Sequence, residues 1–396
     1  MKRTSANSHL SRRTQIIALT LGLLGAALAG SAQTPCPGVK TFATGLLAPS
    51  KIIQTPRGDF IVAENGPEIP NHGRVSIVDQ RGKRRTLLEG LPSARTFVGD
   101  FNGTTGVWLE GRTLFVLNGQ CDVTLAGPVP VTERANPTPS SPLFSSVLAI
   151  HFSAAMEEAT TGVTLTLADH QALKAGQRLI RADARGQRML IQLVADFPDY
   201  APELRPNFAD NVRHSHPYGV VGHGRHLYIV DAGFNNVHKV NVLSAEYETL
   251  ASFAPTPNPL PGPPFIENVP TSIRWDGNQL AVTLLSGGPF FIPGYSQVQH
   301  VDPRTGAITP LLTGLSSAID ITPLRGCDED YLTLEHNLTF PVPGPGRLQY
   351  FAAPDAQPVV LADCLTTPTS MVLDRRGARL VVTELATGRL VTLELP

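Results

Sequence analysis

Charge is scarce in this 396-residue sequence. Asp, Glu, Lys and Arg supply only 16% of it, and the formal net charge is −1. A chain this close to neutral has no bulk electrostatic attraction to nucleic acid or to an anionic membrane, so neither is expected as a partner. Cysteine is also sparse. Cys36, Cys121, Cys327 and Cys364 are far apart with no C-x-x-C spacing, which argues against a zinc ribbon or a thioredoxin-like motif. Long helical patterns are nearly absent. So are the motifs that announce common chemistries: there is no G-x-S-x-G elbow, Walker loop, H-E-x-x-H, EF-hand loop or dinucleotide fingerprint.

Glycine and proline, by contrast, number 35 each, and they cut a 42% hydrophobic chain into many short apolar runs. That composition is globular and reads as all-β. The length allows one large or two ordinary domains.

Residues 1–32 read as a signal peptide rather than as fold. Lys2, Arg3, Arg12 and Arg13 form a basic start. Ile16 to Leu28 is an apolar stretch too short and Gly-rich to span a membrane comfortably, and Gly30 and Ala32 suit a cleavage site. Ser31 stands where a lipoprotein would need Cys, so no lipid anchor and no membrane span are expected in the mature chain. "SRRTQII" is close to a twin-arginine signal, but Gln15 occupies a position that prefers a large apolar residue. The general secretory and twin-arginine routes therefore both stay open. Either leads to the periplasm or the outside of the cell, where four cysteines allow up to two disulfides in three connectivities.

The mature chain, 33–396, reads as one domain built on a repeat. From Pro217, "YGVVGHGRHLYIVDAGFNNVHKVNVLSAEYETLASF" runs strand, turn, strand, loop, strand, turn, strand. The same order returns from Pro270, Ser317 and Pro368, at a spacing of roughly 50 residues, and it occurs earlier from Pro49 and, less regularly, from about Thr105. Four short strands per repeat, six times over, predict a six-bladed β-propeller. The last copy has only three strands before the sequence ends, and "VKTFATG" at 39–45 is expected to complete it. Residues 154–187 look like an insertion between the third and fourth strands of blade 2. A monomer is expected.

The second strands end in register at Glu64, Asn118, Asp231, Leu284, Glu335 and Glu384. If Glu64, Asn118, Asp231, Glu335 and Glu384 faced one channel mouth, they could hold Ca²⁺, a hard cation that takes oxygen ligands. Alternatively, each carboxylate accepts backbone N–H groups from the turn that follows, a role that "AGFNN" after Asp231 suits. His214 and His216 straddle Ser215, so in an extended segment both point the same way, toward Asp231. Such a pair could act as a base, bind metal or, together with Asn235, hold a ligand; the alternative is that His216 merely caps a turn. Phe290 and Phe291 in "GGPFFIPG" would form either an apolar binding lip or a plug. Tyr218 and Trp275 are expected in the core between blades.

"HPYGV…LYIVDAGFNNVHKV", "NVPTSIRW" and "GGPFFIPGYSQVQHVDPRTG" resemble the ScyD/ScyE family of exported β-propellers, over roughly residues 39–396 and most densely over 212–320. More broadly the chain is similar to propellers of the NHL, gluconolactonase and strictosidine-synthase type. The family's usual Asn is His216 here. The resemblance implies fold and export. The sequence as a whole reads as a propeller that binds a small molecule or an exported protein partner at its channel mouth. Gluconolactonase-like relatives further imply a Ca²⁺-dependent hydrolase or lactonase using the carboxylate ring. A structural or interaction propeller with no chemistry is the third reading.

Overall fold

The computed structural model describes residues 36–395, apart from 131, 206–207, 289–290, 325–329, 341 and 377–378. Residues 1–32, expected to be a signal peptide, lie outside the described residues, as do Phe290 and Cys327. The second strand of each repeat is mostly apolar through its middle, and nearly all of its residues are buried: Phe60–Glu64, Thr113–Asn118, His226–Asp231, Gln279–Ser286, Tyr331–Glu335 and Arg379–Glu384. A strand sheds alternation when both of its faces are covered. Here each blade is packed between two others, so neither face of a second strand meets water. The fourth strands sit at the rim and are largely exposed, as in Tyr247–Ser252 and Ile308–Leu315.

Six blade sheets result, in each of which the first three strands run antiparallel in sequence order from the channel outward; blade 6 takes its outermost strand from the N-terminal side, and blades 1 and 2 each carry a fifth strand at the rim. The innermost strands are Pro49–Gln54, Thr104–Glu110, Pro217–His223, Asn268–Asp276, Ala318–Pro323 and Pro368–Asp374. We number the blades 1 to 6 in that order. Each innermost strand skips one residue near its start, where the ladder shifts register. Hydroxyls at the skipped position link neighbouring blades. Ser50 donates to the Thr104 carbonyl, Thr105 to that of Pro217, Thr271 to that of Ala318, and Thr369 to that of Pro49.

The ring closes as the sequence predicts. Val39–Ala43 is the fourth strand of blade 6 and pairs antiparallel with Arg389–Glu394, Val39 opposite Leu393 and Thr41 opposite Val391. A disulfide between Cys36 and Cys364 fastens this strand's approach to the outer strand of blade 5, while Cys121 is buried and free. Disulfides of this kind belong to oxidising compartments. Among the described residues no helix is long and apolar enough to cross a membrane.

Two helices that the residue pattern did not announce lie between Ser146–Phe152 and Arg188–Asp196 of blade 2. They are α1, Ala154–Ala159, and α2, Leu167–Lys174. Thr166 and Asp169 form a reciprocal capping box at the start of α2. Between the helices, Val163–Thr164 pairs parallel with the outer strand of blade 1 and so bridges two rims.

Candidate functional site

The carboxylate ring comes first, because its register is the clearest feature of the sequence. Glu64, Asn118, Asp231, Leu284, Glu335 and Glu384 do occupy equivalent positions, opposite Pro49, Thr104, Pro217, Pro270, Ala318 and Pro368 on the innermost strands. All are buried. Three of them meet an arginine directly across on the third strand: Glu64 with Arg74, Glu335 with Arg347, Glu384 with Arg389. Each of these glutamates also accepts a backbone N–H from the segment that leads into its blade, from Leu47, Ser316 and Thr366 respectively, Thr366 being the last residue of the outer strand of blade 5. Asp231 has no arginine opposite. It accepts from Ser215 Oγ at 2.5 Å, from the His216 N–H at 2.8 Å, and from the Gly233 and Phe234 N–H groups at 2.9 Å each. Burial would raise its pKa, but the nearby His238 imidazole, Ser215 and these N–H groups outweigh burial and lower it. Asn118 donates to Ser146 Oγ within its own blade.

These donor sets do not fit a Ca²⁺ ion, which needs several oxygens converging on one point. Each side chain is engaged by its own blade or the segment leading into it, and among the described residues no group of three or more His, Cys, Asp or Glu converges as metal ligands would. The ring serves blade entry.

The two histidines behave differently. His214 lies on a short ribbon, Val212–His214 paired with Tyr200–Pro202, outside the blades. A second ribbon, Thr124–Ala126 with Glu133–Ala135, brings Glu133 to it. His214 Nδ1 is 2.8 Å from Glu133 Oε2 and 2.9 Å from Oε1. The carboxylate therefore holds a proton on Nδ1 and leaves Nε2 as the free nitrogen. His216, two residues on, is fixed the opposite way. Its Nδ1 accepts the Gln120 backbone N–H at 3.0 Å, so the neutral ring carries its proton on Nε2 and can only donate there. Burial pushes the His216 pKa down to about 3, with His214 adding to the fall and Asp231 opposing it. A base or metal-ligand role for His216 does not fit this tautomer; a hydrogen-bond donor role does.

The ring centroids of His214 and His216 are 6.4 Å apart, with Phe97 5.7 Å from His214 and Tyr218 5.5 Å from His216. Residues 214, 216 and 218 thus turn to one side. Room for the rings depends on two glycines: a Cβ at Gly119 would lie 2.9 Å from His216 Cε1, and one at Gly233 would lie 2.2 Å from the His214 carbonyl oxygen. Asn235 belongs to a neighbouring cluster, where it and Arg213 both reach Glu267. Phe291 packs on Phe340, with centroids 4.2 Å apart. Among the described residues, no hydrogen bond or ring contact joins either of them to the histidine pair. Trp275 lies between blades 3 and 4, donating to the Gly222 carbonyl.

Deeper along the channel lies a charged cluster that the residue pattern did not reveal. The residues immediately past the skip on the innermost strands are Lys51, Gly106, Gly219, Ser272, Asp320 and Ser370. Lys51 is 6% exposed, lies 4.8 Å from the centre of the Tyr218 ring, and donates to the Thr271 carbonyl at 2.9 Å. Asp320 is fully buried. It accepts from Arg274 through Nε and Nη2, from Ser272 and Ser370 hydroxyls, and from the Met371 and Ile321 N–H groups. Burial lowers the Lys51 pKa to about 8 although Asp320 pulls it up. Burial alone would raise Asp320; the charges of Arg274 and Lys51 and the hydrogen bonds from Arg274 and Ser272 prevail and hold it at about 2. Glu133, Lys51, Arg274 and Asp320 are the residues that sequence reasoning missed. Aligning the six repeats at the innermost strand would have exposed one Lys and one Asp among small residues.

No known family profile matches the chain, and no curated protein matches it. Solved structures do. The chain is similar to the β-propeller domain of Cps50 (Swd1) from Myceliophteria thermophila, at 15% identity and a TM-score of 0.43, over 90% of this chain and 100% of that one. It is also similar to the PQQ-bound aldose sugar dehydrogenase of Streptomyces coelicolor, at 14% identity and 0.49, over 91% and 99%. A third is an auxiliary nutrient binding protein from Bacteroides thetaiotaomicron, at 9% identity and 0.48, over 90% of this chain and 75% of that one. These likenesses concern the fold alone.

Proposed function

We propose that this chain is an exported propeller of the ScyD/ScyE type that binds a small polar ligand at one mouth of its channel, between His214 and His216. One observation carries this reading: two imidazoles on one side of an extended segment are held in opposite hydrogen-bonding states, by Glu133 and by the Gln120 N–H. One ring offers an acceptor and the other a donor. That suits a ligand with adjacent hydroxyl and carbonyl groups, such as a sugar, a lactone or a hydroxy acid. Arrays of apolar residues do not need such care over tautomers. The leader-like first 32 residues and the Cys36–Cys364 disulfide support export.

The test is a thermal-shift screen of sugars, lactones and hydroxy acids, followed by calorimetric titration of any hit against the wild type, His214→Ala and His216→Ala. The expected result is a hit whose Kd weakens about tenfold or more in either variant. No hit, or a hit indifferent to both substitutions, would reject the site.

A further inference from the structure

The two rings at the channel mouth differ in what their outer nitrogens can do, and the difference is enforced from behind. Glu133 holds His214 Nδ1 and is itself held: Thr124 Oγ1 donates to its carboxylate at 2.7 Å, and Asn211 Oδ1 accepts its N–H at 3.0 Å. A carboxylate behind an imidazole makes the opposite nitrogen a better base and stabilises the imidazolium that forms. The Gln120 N–H does the reverse to His216, keeping the ring neutral with its proton on Nε2. A neutral imidazole N–H of this kind can polarise a carbonyl. The backbone between the rings is pinned, because Asp231 accepts the Ser215 hydroxyl and the His216 N–H. Among the described residues neither Nε2 has a hydrogen-bond partner in the protein, and both residues are only partly buried.

A base beside a fixed donor is what removal of a proton next to a carbonyl requires. Resting on the reading of the pair as a ligand site, we propose that it catalyses enolisation of an uncharged α-hydroxy carbonyl compound, His214 taking the α-proton and His216 holding the carbonyl oxygen. The Cα–H bond breaks and its proton goes to His214 Nε2. Its electron pair moves into the carbonyl, leaving an enolate oxygen that accepts from His216 Nε2–H. Return of a solvent-exchanged proton to that carbon restores the compound, or its epimer when the proton arrives on the opposite face, and no co-reactant is consumed. Among the described residues the rings meet Glu133, Phe97, Tyr218 and the Gln120 N–H, none of them a cation. A carboxylate would gain a second negative charge on enolisation with no cation against either ring, so aldehydes, ketones and lactones are favoured over hydroxy acids.

The test follows the α-proton by NMR in deuterium oxide, with dihydroxyacetone, D-glyceraldehyde and D-galactono-γ-lactone as probes and binding measured in parallel by calorimetry. The expected result is loss of the α-proton signal of at least one probe about 100-fold or more faster than in buffer, with the gain abolished in His214→Ala. Glu133→Gln adds a readout that a merely structural role would not move. Its amide can donate to Nδ1 and so put the His214 proton on Nε2; exchange is then lost in a folded variant, and the imidazole nitrogen shifts of His214 report the change of tautomer. Should either variant fail to fold, the other variant and the wild-type rates decide. A probe that binds without exchanging faster than in buffer overturns enolisation and leaves the ligand site standing. Neither binding nor exchange with any probe rejects both. Exchange that survives in folded His214→Ala overturns the assignment of the base.

Discussion

Lys51 Nζ reaches the carbonyl of Thr271, 2.9 Å away, and so joins the innermost strand of blade 1 to that of blade 4 across the ring. Its pKa falls from 10.5 to about 8 on folding because burial disfavours the charge. Between those values the unfolded chain binds more protons than the folded one, so stability rises with pH through that window. Chemical denaturation at pH 8 and pH 10 should show the wild type gaining on Lys51→Met by about 2 kcal/mol. Parallel pH profiles would show that Lys51 is not strained by its charge.

Asp320 works in the opposite window. Its folded pKa of about 2 lies below the usual 3.8, so the stability it contributes is complete above 3.8 and is lost as pH falls toward 2. Asp320→Asn strands Arg274 and Lys51 without their counter-charge. The expected loss is about 3–5 kcal/mol at pH 7, read by urea unfolding, and it should shrink in acid.

His216 makes the fold acid-sensitive. Its folded pKa of about 3 means that protonation favours the unfolded chain as pH drops below 6.5. Asn at this position can still accept the Gln120 N–H through its side-chain oxygen. His216→Asn should therefore lie within about 1 kcal/mol of wild type at pH 7 and become the more stable of the two near pH 4.5. Equal acid sensitivity in both would place the sensitivity elsewhere.

The strand-end glutamates predict how arginine removal behaves. Arg389→Ala leaves Glu384 buried with, among the described residues, the Thr366 N–H and the Thr387 hydroxyl as partners, at an expected cost of about 3 kcal/mol. Calcium should not restore the loss, and a chelator should not move the wild-type melt. Rescue by calcium would return the ring to the status of a metal site.

The architecture was legible because the second strands are covered on both faces and announce themselves as uninterrupted apolar runs. "LYIVD" and "YLTLE" could be aligned without any structure, and with them the N-terminal strand that closes the last blade. The shared orientation of His214 and His216 was legible from their spacing. Glu133 was not, because its ribbon sits in a Pro-rich stretch, 122–142, that shows no period. Lys51 and Asp320 escaped for a different reason. The skipped residue after Pro49 and Ala318 breaks the two-residue alternation at the point where it would have shown which side chains face the channel. The same holds for the carboxylate ring: register showed that the six positions match, but not that an arginine faces Glu64, Glu335 and Glu384.

The closure of blade 6 also fixes an order of events. Its strands come from residues 39–43 at one end of the fold and 368–394 at the other, so the first strand made waits for the last. Until then it is an unpaired edge, open to wrong partners. Cys36 and Cys364, separated by 328 residues, come within 5.5 Å between Cα atoms in the folded ring. Their bond is thus a covalent record that the approach to the N-terminal strand has docked on the rim of blade 5, beside the blade that strand completes. A thiol-trapping assay during synthesis or refolding would read it as a clock for that docking step.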